Sequence, residues 1–137
     1  MMVLIDTSVW IDFFAARNCR HVEALEQLII DREDICLCGV ILTEILQGIR
    51  KDEEFLRTKN LLDHLTFLPM QHPVFLRSAE MYRFLRQKGI TIRKPVDCMI
   101  AATAIEYNVP LLHNDRDFIP IEQYCGLRSF LPHDTLQ

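Results

Sequence analysis

The chain contains 137 residues, of which half are apolar and a quarter are charged. This length and balance predict one globular domain over residues 1–137, large enough to fold without disulfides or a structural metal. The net charge of −4 argues against a general nucleic-acid coat protein, which needs a surplus of Lys and Arg, but it permits an enzyme with an acidic pocket.

The cysteines and the first residues of the chain exclude further classes of protein. The five cysteines include no Cys-x-x-Cys pair, which argues against a zinc or thioredoxin-like site. Cys36 and Cys38 lie in an apolar run and are expected in the core. The N-terminus lacks the basic segment of a signal peptide, and no stretch is long enough to cross a membrane. We therefore expect a cytoplasmic protein.

The first half of the chain alternates short apolar runs with amphipathic segments. The pattern predicts strands over residues 2–5 and 35–38, and helices over 7–14, 20–31 and 40–50. Thr7 or Ser8 can cap the first of these helices, and Gly39 breaks the second strand.

The second half continues the alternation and completes the predicted fold. It predicts helices over residues 53–63, 72–88 and 95–107, strands over 66–68 and 109–112, and a candidate fifth strand over 128–131. Strands that alternate with helices favour a parallel sheet covered on both faces. We therefore predict a three-layer α/β/α sandwich with a central parallel sheet of four to five strands.

Several acidic residues stand alone in apolar surroundings, where an isolated carboxylate is costly. They are Asp6 after the first strand, Glu44 and Asp97 in apolar helices, and Asp115 and Asp117 after the fourth strand. The carboxyl ends of parallel strands meet at one edge of a sheet, and a helix leading into a strand begins at that same edge. We therefore expect these carboxylates to converge on one pocket.

Such a pocket either raises the pKa values of its carboxylates or binds a cation. Because every ligand on offer is an oxygen, Mg²⁺ or Mn²⁺ is favoured over Zn²⁺. Such an ion activates water for attack on phosphorus, and Thr7 or Ser8 would support it or a phosphate oxygen. We expect Asp6, Glu44, Asp97 and Asp115 to bind the metal.

Each acid also has a purely structural interpretation. Asp6 can be a helix N-cap, and Asp97 can gain from the helix dipole. Glu44 can pair with Arg50 or Lys51, and residues 115–117 can form a turn. The metal hypothesis depends on their joint placement.

At these residues the chain resembles the PIN-domain nucleases, and within them the VapC toxins of type II toxin–antitoxin pairs. Four segments carry the resemblance, in the family's order: LIDTSVWID at 4–12, TEILQG at 43–48, DCMIAATA at 97–104 and LHNDRDF at 112–118. Two positions depart from the family pattern, with His113 in place of Thr or Ser and Cys98 in place of a smaller residue. In the fourth segment, Asp115 is our first choice of ligand and Asp117 our second.

The resemblance implies a metal-dependent endoribonuclease that cuts structured RNA, most often tRNA. It also implies a homodimer and a cognate VapB-like antitoxin whose C-terminal segment lies across the pocket, bringing Arg or Lys to the carboxylates. Some of the following basic residues are expected to flank the cleft and contact RNA: Arg17, Arg20, Arg50, Lys51, Arg83, Arg86, Lys88, Arg93 and Lys94.

Three other functions are compatible with an α/β domain that has an aspartate after its first strand. Aspartate-based phosphatases need a second acid two residues after the first, where this chain has Ser8. Response-regulator receivers need an aspartate at the end of the third strand, where this chain has Leu68 and Pro69. A catalytically silent PIN-like binding domain usually loses its acidic ligands, whereas every expected position here is acidic.

Overall fold

The structure is a computed structural model, and it describes residues 1–131. Its centre is a parallel sheet of four strands, in the order β3-β2-β1-β4. The strands are β1 (Met2–Ile5), β2 (Asp34–Cys38), β3 (Thr66–Leu68) and β4 (Leu111–Leu112). In register, Leu4 of β1 lies between Cys36 of β2 and Leu111 of β4.

Seven helices flank this sheet in the described part of the chain. They are α1 (Thr7–Phe14), α2 (Arg20–Ile30), α3 (Gly39–Gln47), α4 (Asp52–Leu62), α5 (His72–Gln87), α6 (Pro95–Glu106) and α7 (Ile119–Cys125). A short 3₁₀ turn, Arg116–Phe118, precedes α7. The predicted α/β/α sandwich with a parallel sheet is therefore confirmed.

Apart from the exposed Asp34 at the start of β2, the central strands are apolar because the sheet is covered on both faces. Val3, Leu4 and Ile5 of β1 are fully buried, as are Cys36 and Cys38 of β2. The expectation that these two cysteines belong to the core is therefore confirmed.

Helix α6 is buried on nearly every side, which is typical of a helix inside a core rather than on a surface. Its small residues Ala101, Ala102 and Ala104 are fully buried, and the helix packs against α3 and α5. Pro95 occupies its first turn, where no backbone donor is needed. The rigid placement of α6 fixes the position of Asp97 at its start.

The candidate strand over residues 128–131 is not formed. This segment makes a single bridge, in which the Leu111 amide donates to Arg128 and the Phe130 amide donates to Leu111. Strand β4 is only two residues long, so it offers no further partners for a ladder. The sheet accordingly has four strands in the described residues.

Helix α7 and the 3₁₀ turn before it were not predicted from the sequence. Pro120 lies at the start of α7, a position that accepts proline, and Gly126 ends the helix with a φ of 80°. Between residues 1 and 131, no helix is both long enough and apolar enough to span a membrane.

Candidate active site

The acidic residues gather at the carboxyl edge of the sheet, beside strands β1 and β4. Asp6 directly follows β1, and Asp115 comes three residues after the end of β4. Because β1 and β4 are adjacent and parallel, with Ile5 opposite Leu112, the chain segments that leave them run side by side. This edge is where open α/β sheets bind their ligands.

Asp6 serves as the N-cap of α1. Its Oδ2 accepts hydrogen bonds from the Ser8 amide at 3.0 Å and from the Ser8 hydroxyl at 2.7 Å. The side chain is buried, and burial raises the pKa of Asp6 although the bonds from Ser8 oppose the shift. The helix-cap interpretation is thus confirmed for Asp6, whereas Thr7 and Ser8, which we expected to provide the cap, belong to the helix.

Asp97 is the most unusual carboxylate of the site. Its residue is only 4% exposed, and its Oδ2 is buried without a hydrogen-bond partner in the described structure. Burial raises the pKa of Asp97 to about 7, because the nearby Lys94 offsets only part of that effect and the charges of Asp6, Asp115 and Asp117 add to it. A buried carboxylate oxygen with no partner is a costly feature unless something binds it.

Asp115 and Asp117 adjoin Asp97, and each is held by a basic residue. Carboxylate oxygens from the three aspartates lie within 4.8 Å of one another. Lys94 donates to Asp115 Oδ2 at 2.9 Å and Arg93 donates to Asp117 at 3.2 Å. Burial alone would raise the pKa of Asp115, but the bonds from Lys94 and the Asp117 amide leave it below the ordinary value.

Both predicted ligands of the fourth segment therefore face Asp97. Asp115 Oδ1 accepts the Asp117 amide at 2.9 Å, which forms the turn expected from residues 115–117. The structural and functional interpretations of this segment coexist, since the turn is what presents both carboxylates to Asp97.

Glu44 is not part of the group formed by Asp97, Asp115 and Asp117, and its contacts are with Thr7 and Asp6. The Thr7 hydroxyl donates to Glu44 Oε1 at 2.8 Å, and the negative charge of Glu44 contributes to the raised pKa of Asp6. In the described residues Glu44 forms no ion pair with Arg50 or Lys51. The charge of Asp6 also acts on Asp97, so Asp6 is electrostatically coupled both to Glu44 and to the three-aspartate group.

Sequence reasoning missed the residues that join the two halves of the site. The Asn114 amide donates to the Ser8 hydroxyl at 3.0 Å, and its side chain donates to Asp12 at 3.2 Å. Asp12 is itself buried and accepts from Arg17 at 2.8 Å. The position of Asn114 immediately before Asp115 was the only signal in the sequence.

His113 has a structural role in the place where the family pattern has a hydroxyl. Its Nδ1 accepts the Asp115 amide at 3.2 Å, so the proton lies on Nε2, which is 2.9 Å from Glu122 Oε1. The imidazole is buried against Phe118. His113 therefore supplies an acceptor for the Asp115 backbone, which a Thr or Ser side chain could also provide.

The donor set of this edge fits a hard divalent cation. All candidate ligands are carboxylate oxygens. The buried Asp97 Oδ2 accepts no hydrogen bond in the described residues, so its lone pairs are available to a cation. Among the described residues no cysteine belongs to the group of possible metal ligands, and the nearby His113 uses both ring nitrogens elsewhere. Oxygen ligands of this kind suit Mg²⁺ or Mn²⁺.

An apolar groove adjoins the acidic edge at Glu44. It has a volume of about 710 Å³ and lies between α1, α3 and α4. Its lining includes Ile11, Phe14 and Leu61, which are each about half exposed. The groove and the acidic site share the Glu44 side chain, so a single extended ligand can contact both.

Sequence comparison places the chain among known proteins. The PIN domain family matches residues 3–123. Ribonuclease VapC11 of Mycobacterium tuberculosis is 34% identical over 130 residues, covering 93% of this chain and 97% of the relative. Ribonuclease VapC1 of Methanocaldococcus jannaschii is 30% identical over 131 residues, covering 93% of this chain and 86% of the relative.

Structural comparison finds the same fold. DNA-bound VapBC from Salmonella typhimurium matches with a TM-score of 0.76 at 22% identity, covering 94% of this chain and 96% of that chain. VapC20 of Mycobacterium tuberculosis, described as a sarcin-ricin loop cleaving toxin, matches with a TM-score of 0.67 at 14% identity, covering 95% and 99%. The chain therefore belongs to the PIN domain family, in which these sequence relatives are VapC ribonucleases.

Proposed function

We propose that this protein is a metal-dependent endoribonuclease toxin that acts in the cytoplasm and is neutralised by a cognate VapB-like antitoxin. Its substrate would be a structured RNA, with tRNA as the first candidate. The observation that carries the proposal is the buried Asp97 carboxylate, whose Oδ2 has no hydrogen-bond partner in the described residues and lies beside Asp115 and Asp117. We further propose that residues 1–137 form a single PIN domain that assembles as a homodimer.

The ion would be Mg²⁺, with Mn²⁺ as an alternative, held by Asp6, Asp97, Asp115 and Glu44. Asp117 would support Asp115 or share its role, because both lie next to Asp97. When bound, the cation would activate water and offset the charge that develops at the leaving oxygen. Phosphodiester hydrolysis is the reaction class for which this chemistry is suited.

The protein's own contribution is to hold the carboxylates in place. Ser8 fixes Asp6 through two hydrogen bonds, and Thr7 fixes Glu44 through one. The Asn114 amide ties the segment after β4 to Ser8, which keeps Asp115 close to Asp6. Removing such supporting bonds from a metal site typically lowers metal affinity or activity about 10- to 100-fold.

Three kinds of relatives support the proposal. The curated relatives at 34% and 30% identity are ribonucleases. One structural neighbour cleaves the sarcin-ricin loop, which is a structured RNA. Others are VapBC structures, among them a member of the VapBC family of toxin–antitoxin systems from Mycobacterium tuberculosis, and these support an antitoxin partner for this chain as well.

We propose that the antitoxin occupies the groove beside Glu44. An apolar segment of the antitoxin would contact Ile11, Phe14 and Leu61, and a basic side chain would then reach the carboxylates from Glu44. Charge-assisted hydrogen bonds of that kind are strong in a partly desolvated cleft.

The proposal is tested with end-labelled tRNA and pure protein, with and without EDTA. We expect cleavage that EDTA stops and that added Mg²⁺ or Mn²⁺ restores. Asp31→Asn serves as the control for Asp to Asn substitutions in the site and should cleave like the wild type, because Asp31 lies outside the site and contacts Gln27. Cleavage that persists in EDTA would contradict the metal mechanism, and an absence of cleavage of any RNA would favour a silent binding domain.

A further inference from the structure

Lys94 makes closer contact with the site carboxylates than any other cation in the described residues. Its Nζ lies 2.9 Å from Asp115 Oδ2 and 3.9 Å from Asp97 Oδ2. The second of these oxygens is the one that has no hydrogen-bond partner. A single ammonium group therefore stands beside both carboxylates from which the proposed metal ion would take ligands.

The two oxygens of Asp115 are not equally favourable ligands for that ion. Oδ1 already accepts the Asp117 backbone amide at 2.9 Å, so Oδ2 is the oxygen that a cation can bind without sharing it with the backbone. Lys94 currently donates to this same Oδ2. A divalent ion and the ammonium would thus compete for one oxygen and repel each other across a short distance.

We propose that Lys94 is an internal counter-cation, which holds the metal-free site together and withdraws from Asp115 when the divalent ion binds. This inference rests on the metal site of the proposed function. It changes the role expected of Lys94 from an RNA contact to a group that sets the metal affinity of the enzyme.

The position of Lys94 in the chain allows this exchange. Lys94 is the residue immediately before α6, and Pro95 fixes the backbone that follows it. Its side chain is 53% exposed, so the flexible stem can turn toward solvent without disturbing the core. Arg93 differs, because it is bound to Asp117 on the outer side of the group.

Binding and displacement are thermodynamically reciprocal. If the metal weakens the contact between Lys94 and Asp115, then Lys94 must weaken metal binding by the same factor. Removing the ammonium should therefore tighten metal binding and destabilise the metal-free protein. The change in metal affinity and the change in stability can both be measured in the absence of RNA.

The test measures Mn²⁺ affinity by electron paramagnetic resonance for the wild type, Lys94→Gln and Lys94→Arg. The matched control is Lys59→Gln, which makes the same change of charge in a half-exposed ion pair, 2.8 Å from Asp63 and on α4. We expect Lys94→Gln to bind Mn²⁺ about 5-fold more tightly, the size of a strong exposed ion pair. Lys94→Arg and Lys59→Gln should bind close to wild type.

Thermal unfolding provides the second measurement. Lys94→Gln should melt below the wild type in EDTA and should gain more than the wild type when Mn²⁺ is added. Equal or weaker Mn²⁺ binding by Lys94→Gln, with normal binding by the wild type, would overturn the role of Lys94 alone. Failure of the wild type to bind Mn²⁺ would overturn the metal site and this inference with it.

Discussion

Asp6 combines a structural and a proposed chemical role in one side chain. Its Oδ2 accepts both bonds from Ser8 and so caps α1, while burial beside Glu44 raises its pKa. The two roles can be separated by substitution, because Asn keeps an oxygen acceptor and Ala does not.

We predict that Asp6→Asn retains near wild-type stability and that Asp6→Ala loses about 1 kcal/mol of unfolding free energy through loss of the cap. Both variants should lose RNA cleavage, since both remove the charge. Urea denaturation and a cleavage assay distinguish the two effects. Equal stability of the two variants would show that the bonds from Ser8 contribute little.

We predict that Asp97→Asn abolishes RNA cleavage and leaves the fold intact. The substitution removes a buried charge but keeps the shape, so the metal-free protein should be at least as stable as the wild type. Because loss of an outer partner already costs about 10- to 100-fold, loss of a ligand should cost about 100-fold or more. Circular dichroism measures whether the fold is intact, and cleavage rates measure the loss of activity. Full residual activity would remove Asp97 from the site.

The sequence singled out Asp97, Asp115 and Asp117, whose carboxylate oxygens lie within 4.8 Å of one another, but it did not reveal which side chains hold them in place. Asp6, Glu44 and Asp97 stood out because each is a lone charge in an apolar run. The contacts of Lys94 with Asp115 and of Asn114 with Ser8 join segments far apart in the chain. No local pattern encodes such pairings, because they depend on strand order and side-chain rotamers.

At the scale of the elements, the groove between α1, α3 and α4 is the surface where we expect a partner protein to bind. Its exposed apolar side chains are otherwise unfavourable on a surface, which is typical of a site that receives a partner. Leu61 lines the groove and is 46% exposed, so substitution there spares the core.

We predict that Leu61→Glu weakens capture of the antitoxin by about 10-fold or more and leaves RNA cleavage unchanged. The introduced charge must be desolvated when an apolar segment binds, which is costly. Co-expression and co-purification with the cognate VapB-like antitoxin measure the effect. Leu76→Glu is the matched control, because Leu76 is 54% exposed on α5, outside the groove. Equal capture by both variants would place the antitoxin elsewhere.

The predicted helices and strands that form in the structure agree with it to within about three residues, and the errors in element type lie near the C-terminal end of the described residues. Helix α2 has a clear apolar stripe, and its predicted end differs from the structure by one residue. Helix α7 was missed because it is only seven residues long and begins with Ile119 and Pro120. The strand over 128–131 was wrong because its partner, β4, is too short to extend the ladder.

At the scale of the whole molecule, burial controls the chemistry of the cysteines. Cys36 and Cys38 are fully buried, and burial raises the pKa of each thiol to about 11. Cys19 is half-buried, and the structure contains no disulfide among the five cysteines. Only the thiolate reacts readily, so accessibility and pKa act in the same direction.

We predict that the native protein shows fewer than five fast-reacting thiols with Ellman's reagent at pH 8, and that all five react in urea. Because the thiols of Cys36 and Cys38 ionise only near pH 11, raising the pH from 7 to 9 should leave them slow. The partly accessible Cys19 should react first. Five equally fast thiols in the folded protein would contradict the buried core.

The edge strands of the sheet determine whether another chain can pair with it. On one side the Leu111 amide and carbonyl are already consumed by residues 128–130, and on the other β3 is three residues long and is followed by Pro69. Short and blocked margins discourage strand addition, a common route to aggregation and domain swapping. We therefore expect the proposed antitoxin to recognise helix side chains rather than to add a strand to the sheet.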